Sequence, residues 1–219
     1  MKSFIRTAVL FITLPLVLTF GDLSTVNASN KGTFMSACKC VDENNLACFG
    51  TYRWDVKIDK AMAPENVTDI TPSKMGAWAG PGGKFGYNTK RIPEEEKWYR
   101  ATGKVTLVRA EPDGDLHIQM VDKDAKGDAV NIVVEVPNGT KWCSIRKKVF
   151  GWTNINFPKQ DGELKLKKEP VIAVTGKAFY DGQHGDKKKT SNRRKGSAGG
   201  KPTTVWEIHP VMKMEVISE

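Results

Sequence analysis

The chain is 219 residues long, 39% hydrophobic and 27% charged, with 20 glycines, 11 prolines and a formal net charge of +9. This composition excludes a coiled coil, a collagen-like chain and a wholly disordered chain. The length favours one domain with additions, or two small domains. Because the net charge is strongly positive, a binding partner is expected to be anionic rather than cationic.

The N-terminus has the pattern of an export signal. Lys2 and Arg6 precede an apolar run over residues 8–20, and Val26-Asn27-Ala28 places small residues at a cleavage site. The apolar run is too short for a comfortable membrane span, and no other apolar stretch of the sequence approaches that length. We therefore predict a signal peptide over residues 1–28 and an exported mature protein, periplasmic or secreted, without a membrane span. The alternative is that the apolar run is retained as a membrane anchor.

The cysteines are an even set, which in an oxidising compartment predicts disulfides. They are Cys38, Cys40, Cys48 and Cys143. Of the three pairings that four cysteines allow, a Cys38–Cys40 bond would close a very tight ring and is the least expected. We expect one local bond to Cys48 and one long-range bond to Cys143. A zinc site built from these thiolates is disfavoured because the spacing lacks paired Cys-x-x-Cys motifs.

The mature chain divides into two parts by its pattern. Residues 29–96, here called the extension, lack periodicity and contain a glycine-rich stretch over residues 75–86. We expect the extension to wrap a core irregularly, held there by cystine and by Trp54 and Trp78. Residues 97–219 carry strand patterns instead and are expected to form that core.

The second part predicts five strands and one helix. The strands cover residues 103–111, 115–121, 129–136, 171–180 and 205–217, and the helix covers residues 143–152. Asp113-Gly114 predicts a hairpin turn, and Pro210 predicts a bulge or an edge position in the fifth strand. Three strands, a helix and two more strands is the order of the OB-fold. The predicted fold is therefore a small OB-fold-like, five-stranded Greek-key barrel with Gly103 and Gly176 at sharp bends.

A basic segment, residues 182–203, joins the fourth and fifth strands with seven basic residues against one acidic residue. In OB-folds this loop is one of the two that hold the ligand, and a cationic loop follows a phosphate backbone by releasing counterions. The partner would be single-stranded nucleic acid or an anionic polysaccharide. The expected anion-binding residues are Lys187, Lys188, Lys189, Arg193, Arg194 and Lys195. The alternative is a solvated loop that only keeps the protein soluble.

Aromatic side chains on which bases stack would strengthen the nucleic-acid hypothesis. Phe179 and Tyr180 are adjacent in a predicted strand, so one of them must point outward. Trp206 alternates with Ile208 and is expected in the core.

Two acidic segments resemble the thermonuclease form of the OB-fold. Asp113-Gly114-Asp115 lies on a hairpin, and Val134-Glu135-Val136-Pro137 ends the third strand. In that family two acids of such segments bind a calcium ion, so the resemblance implies Asp115 and Glu135 as metal ligands. Three positions depart from the family's threonine, catalytic arginine and catalytic glutamate: Leu116, Val130 and Asn138. Without those groups phosphodiester cleavage loses its main stabilising interactions, and no catalytic residue is assigned.

The three histidines add further candidates for a metal site. His117 and His209 occupy outward-facing strand positions, and His184 lies beside Asp181 at the mouth of the basic segment. Histidine and carboxylate side chains suit zinc or acid–base chemistry. The candidate ligands for zinc or calcium are Asp115, Glu135, His117, Asp181, His184 and His209. Their spacing does not demand a metal, and no other cofactor is expected.

A wider set of motifs over residues 53–216 resembles an uncharacterised family of exported bacterial proteins. The motifs include Asp-Gly-Asp-Leu-His-Ile at residues 113–118, Val-Thr-Gly-Lys-Ala-Phe-Tyr-Asp at residues 174–181 and Trp-Glu-Ile-His-Pro-Val at residues 206–211. The resemblance implies bacterial export and a shared small barrel, and it implies no activity.

Three functional hypotheses follow from these patterns. The leading one is an exported OB-like protein that contacts an anionic polymer through the basic segment and the adjacent barrel face. The second is a metal-dependent hydrolase built on Asp115, Glu135, His117 and Asp181. The third is a structural envelope protein without a ligand.

Overall fold

The computed structural model describes residues 52–82, 85–127, 129–155, 162–185 and 202–219. The predicted signal peptide, Cys38, Cys40, Cys48 and the six expected anion-binding residues lie outside these ranges, so the interpretations that rest on them stay predictions. Cys143 is the one cysteine among the described residues, and its predicted pairing therefore also stays a prediction. None of the described helices is long and apolar enough to cross a membrane.

The described chain contains three α-helices and seven strands. In chain order they are α1 (Trp54–Lys57), β1 (Thr68–Ile70), α2 (Pro72–Gly76), β2 (Trp98–Ala110), β3 (Leu116–Val121), β4 (Ile132–Val136), α3 (Cys143–Gly151), β5 (Gly162–Leu164), β6 (Val171–Tyr180) and β7 (Trp206–Ser218). Short 3₁₀ turns at Pro93–Glu96 and Thr140–Trp142 precede β2 and α3.

Five of these strands close into a barrel. β3 pairs antiparallel with β2 and with β4, and β4 runs parallel to β7. β7 pairs antiparallel with β6, which returns to the first half of β2 and closes the ring. With α3 between β4 and β6 in the chain, this is the connectivity of an OB-fold. The predicted five-stranded Greek-key barrel is confirmed.

β2 is longer than predicted because its two halves serve different neighbours. Trp98–Lys104 pairs with β6, and Lys104–Ala110 pairs with β3. At the change of partner, a Cβ on Gly103 would lie 2.5 Å from the carbonyl oxygen of Val121, so only glycine lets the two strands approach this closely. The sequence predicted the bend at Gly103 but not the strand residues before it.

The predicted irregularity at Pro210 is a bulge in the β6–β7 pair. Gly176 lies opposite Val211, Ala178 lies opposite Ile208, and the register shifts between these pairs. A Cβ on Gly176 would lie 2.3 Å from the carbonyl oxygen of Pro210. The second predicted bend glycine therefore also lies at a close backbone approach.

The core fills the inside of the barrel with alternate residues of its strands. Leu116, Ile118 and Met120 of β3 point into it and are fully buried. Trp206 is also in the core, as expected, where its indole nitrogen donates to the carbonyl oxygen of Ala79 at 2.8 Å and its ring packs against Trp78. The described part of the extension is thereby held to the barrel.

A buried arginine fixes the start of the described extension. Arg53, in the left-handed conformation at φ +52°, forms a two-pronged ion pair with Glu95 at 2.6 and 2.5 Å. Its guanidinium also lies over the ring of Phe179 on β6, 5.0 Å from the centroid. These contacts place α1 across the outer face of the barrel.

Candidate metal centre

The outer face of β3, β4 and β7 is polar, yet it is buried. Strand alternation puts a row of polar residues there, none of them more than 7% exposed: Asp115, His117, Gln119, Glu135, Glu207 and His209. We call this set the covered face. The predicted outward direction of His117 and His209 agrees with the strand alternation. Neither is exposed, because other parts of the chain, including α1, lie over this side of the barrel.

Strand pairing brings Asp115, Glu135 and His209 together. His117 faces Glu135 across the antiparallel β3–β4 pair, and Asp115 lies two residues earlier on the same side. β4 runs parallel to β7 in a register that pairs Val134 with Ile208, so their neighbours Glu135 and His209 meet. One ligand atom from each of the three residues lies within 4.8 Å of the others, and all three residues are buried.

Several polar atoms of this cluster lack hydrogen bonds. Nε2 of His209 lies 3.3 Å from Oδ2 of Asp115, and Nδ1 of His209 lies 3.0 Å from Oε2 of Glu135. Despite these distances, neither ring nitrogen nor Oδ2 of Asp115 makes a hydrogen bond of acceptable geometry. These atoms are nevertheless ion-pair partners of one another, and a cation bound between them would take the place of the His209 proton as the positive charge that the two carboxylates share.

The charges of the cluster strongly shift its pKa values. Burial alone would lower the pKa of His209, but the neighbouring Glu135 carboxylate and the contact to Asp115 outweigh burial and raise it to about 9. Burial would raise the pKa of Glu135, but Lys57 and His209 hold it well below its usual range. The cluster is therefore ionic, with a carboxylate at Glu135 and an imidazolium at His209.

A chain of hydrogen bonds orients Glu135 from its other side. Nδ1 of His117 lies 3.1 Å from Oε1 of Glu135, and the amide of Gln119 donates to Nε2 of His117 at 3.3 Å. Since Nε2 accepts, Nδ1 carries the proton and donates it to Glu135. Asn131 in turn donates to the amide oxygen of Gln119 at 3.0 Å. This chain leaves Oε2 of Glu135 directed at His209, as outer-shell partners do for metal-binding carboxylates.

Lys57 reaches the cluster from α1. Its Nζ lies 3.2 Å from Oδ2 of Asp113 and 4.0 Å from Oε2 of Glu135. Burial opposes the charge of Lys57, but the carboxylates of Glu135 and Asp113 outweigh burial and raise its pKa. Burial and the nearby Asp115 raise the pKa of Asp113 to about 6.

The six predicted ligands separate into three groups. Asp115, Glu135 and His209 form the cluster, and His117 contacts it through Glu135. Asp181 and His184 instead share a hydrogen bond between Oδ2 and Nδ1, at the start of the basic segment. Among the described residues, they do not belong to the group that can hold a metal.

Sequence reasoning missed two residues of the site. Lys57 lies in the extension, and its sequence neighbours gave no reason to place it beside the acids of the hairpin and of β4. Asp113 was interpreted as a turn residue, and Gly114 does adopt the left-handed conformation of that turn at φ +91°. Asp113 both accepts from the backbone of Asp115 and binds Lys57. For Asp113, its position two residues before the predicted ligand Asp115 was an available signal, whereas the sequence held none for Lys57.

The aromatic residues considered for stacking bases do not form an exposed surface on β6 and β7. Tyr180 and Trp206 point into the core, and Phe179 points outward. Phe179 is nevertheless fully buried, because Val56 packs against it and Arg53 lies over its ring. None of the three rings is open to a nucleic-acid base in the described structure.

Comparisons with protein-family models, curated proteins and solved structures gave no match.

Proposed function

We propose that this protein is an exported OB-fold protein that binds a divalent transition-metal ion through Asp115, Glu135 and His209. The observation that carries the proposal is the convergence of three buried ligand atoms within 4.8 Å of one another. The lack of well-directed hydrogen bonds at Oδ2 of Asp115 and at both nitrogens of His209 agrees with it, although the same atoms form ion pairs with one another. Export is supported by the signal pattern over residues 1–28.

The donor set favours zinc over calcium. Zn²⁺ commonly takes imidazole and carboxylate ligands in sets of three or four, whereas Ca²⁺ takes about six to eight oxygen ligands. One of the three donors here is the imidazole of His209, and the two acids lie in a buried site with little room for water. We therefore propose Zn²⁺ in place of the calcium that the thermonuclease resemblance implies for Asp115 and Glu135.

Burial favours a bound ion over a hydrolytic reaction on a polymer. Asp115 and His209 are both 0% exposed. A catalytic zinc ion keeps a position open for water and substrate, and a polymeric substrate must reach that position. The proposed role is therefore metal binding, and the hydrolase hypothesis has less support from the described residues.

A metal titration with matched histidine variants tests the proposal. Chelator-treated, disulfide-oxidised mature protein is titrated with Zn²⁺ and separately with Ca²⁺ by calorimetry, after an assay shows that no free thiols remain. We expect about one Zn²⁺ per chain, much weaker binding of Ca²⁺, and loss of Zn²⁺ binding in His209→Gln. His184→Gln is the control, since that histidine lies outside the cluster. Zn²⁺ binding that survives His209→Gln, or is absent from the parent protein, overturns the proposal.

Binding of an anionic polymer by the basic segment is a second candidate function. The OB topology supports it, because residues 182–203 join β6 to β7, the position from which this fold holds ligands. The covered face carries the acids Glu135 and Glu207 and is buried. We therefore limit the proposed contacts to the segment and do not extend them to the barrel face. A protein that binds neither Zn²⁺ nor polyanions would fit the third hypothesis, a structural envelope protein.

A further inference from the structure

We infer that the ammonium of Lys57 competes with the metal ion for the carboxylates of the site. This competition would weaken metal binding, so that the bound ion can exchange. This inference rests on the proposed metal site and concerns how tightly that site binds. The geometry behind it is the approach of the Lys57 ammonium to Glu135 of the cluster and to the neighbouring Asp113.

The backbone that carries Lys57 is fixed, whereas its side chain is long and flexible. Arg53 anchors the start of α1 through Glu95, and Arg91 donates to the carbonyl oxygen of Val56 at 2.8 Å. The Lys57 side chain is only 14% exposed and extends from this anchor to the acids. A lysine side chain has several staggered rotamers, so a displacement of the ammonium would not require the helix to move.

The ammonium and a bound metal would compete for the same negative charge. Three carboxylates, those of Asp113, Asp115 and Glu135, lie together with Lys57 at a site where water screens charges poorly. A divalent ion held by Glu135 would lie close to the Lys57 ammonium. The repulsion grows with the product of the two charges and is large at an effective dielectric constant of about 20.

This competition has a functional consequence. Without metal, Lys57 compensates part of the negative charge of the acids, so its removal would leave more of the buried charge unbalanced. With metal, the ammonium must withdraw or tolerate the repulsion, which weakens the metal affinity. A site of this kind takes up and releases a divalent cation, as a carrier or a buffer does, whereas a purely structural site retains it.

Substitutions that remove or keep the charge of Lys57 test the inference. Zn²⁺ affinity is measured by competition with a chromophoric chelator at one pH and ionic strength. We expect Lys57→Gln and Lys57→Met to bind Zn²⁺ about tenfold more tightly than the parent protein, or tighter still. Lys57→Arg keeps the charge and should stay within about threefold of the parent.

A second lysine provides the matched control. Lys90 pairs with Asp55 of α1 at 2.8 Å, and both side chains are about three-quarters exposed, at 77% and 75%. Lys90→Gln removes the same charge beside the same helix, so it should leave the Zn²⁺ affinity unchanged. If it tightens binding as much as Lys57→Gln does, the effect is one of net charge and the inference is wrong.

The remaining outcomes separate this inference from the proposed function. A parent protein that binds Zn²⁺ with Lys57 variants of equal or weaker affinity overturns the inference alone. If neither the parent nor the variants bind Zn²⁺, the proposed function itself is overturned. A Lys57 variant that unfolds without metal should refold when Zn²⁺ supplies the missing charge, and one that stays unfolded with Zn²⁺ also counts against the inference.

Discussion

Glu135 of β4 and His209 of β7 face each other at 3.0 Å on the outside of the barrel, on two strands that run parallel. In the OB topology the third and fifth strands are neighbours although they are far apart in the chain. A carboxylate near the end of one strand and an imidazole in the other therefore meet only when the barrel closes. Asp115, from the hairpin before β3, completes the cluster from the third side.

The charge on His209 predicts a pH dependence for the metal-free protein. Its pKa is raised to about 9, above the unfolded value of about 6.5, so the stabilisation is complete below about pH 6.5 and is lost as the pH rises through about 9. Urea unfolding with chelator present should show the free energy of unfolding falling over this range by at most about 3 kcal/mol. His209→Gln should lack this fall, and His184→Gln should keep it. Parallel pH profiles for the parent and His209→Gln would contradict the assigned charge.

The ion pair between Arg53 and Glu95 predicts how firmly the extension is held over the site. Both side chains are fully buried, so removing one charge leaves the other uncompensated. Arg53→Met and Glu95→Gln should each lower the free energy of unfolding by about 3–5 kcal/mol, measured by urea titration.

An exposed pair on the same segment is the control for this prediction. Lys90→Gln removes one partner of an exposed ion pair and should change stability by less than about 1 kcal/mol. The double variant Arg53→Met/Glu95→Met should recover part of the loss, because it removes both buried charges. Equal effects of the buried and exposed substitutions would show that the Arg53–Glu95 pair does not hold the extension.

The basic segment predicts salt-dependent binding of polyanions. Fluorescence anisotropy with labelled single-stranded DNA should show a loss of about three decades of affinity between roughly 50 and 200 mM salt if six phosphates are contacted. Lys187→Ser, Lys188→Ser and Lys189→Ser together should weaken binding and reduce the salt slope. A labelled anionic polysaccharide in the same assay decides between the two kinds of polymer.

A triple variant elsewhere on the surface tests whether the segment or the overall charge is responsible. Lys123, Lys126 and Lys168 are exposed and lie outside the basic segment. Replacing these three by serine changes the net charge by the same amount and should leave most of the affinity. If both triple variants weaken binding equally, the basic segment is not the binding site.

Local patterns predicted the barrel elements well where neighbouring residues alone decide the structure. β6 was predicted at residues 171–180 and observed at Val171–Tyr180, and the predicted helix over residues 143–152 is Cys143–Gly151. In both, a proline or a spacing of apolar residues marks the ends. The first strand was predicted too short, because Trp98–Thr102 lacks alternation and is strand only through its pairing with β6. β1 was not predicted either, because a strand of three residues shows no alternation and is recognised only by its pairing with β2.

By itself, the sequence determined the order of the five barrel strands and their helix, the outward direction of His117 and His209, and a set of candidate ligands that includes Asp115 and Glu135. Only the tertiary structure decided which of these candidate ligands come together and that the site they form is buried. The alternation of side chains is a property of each strand, so it can be read locally. The burial of an outward-facing residue depends on what packs over the sheet. Here that includes Lys57, which the fold brings from a remote helix onto the acids of the hairpin and of β4.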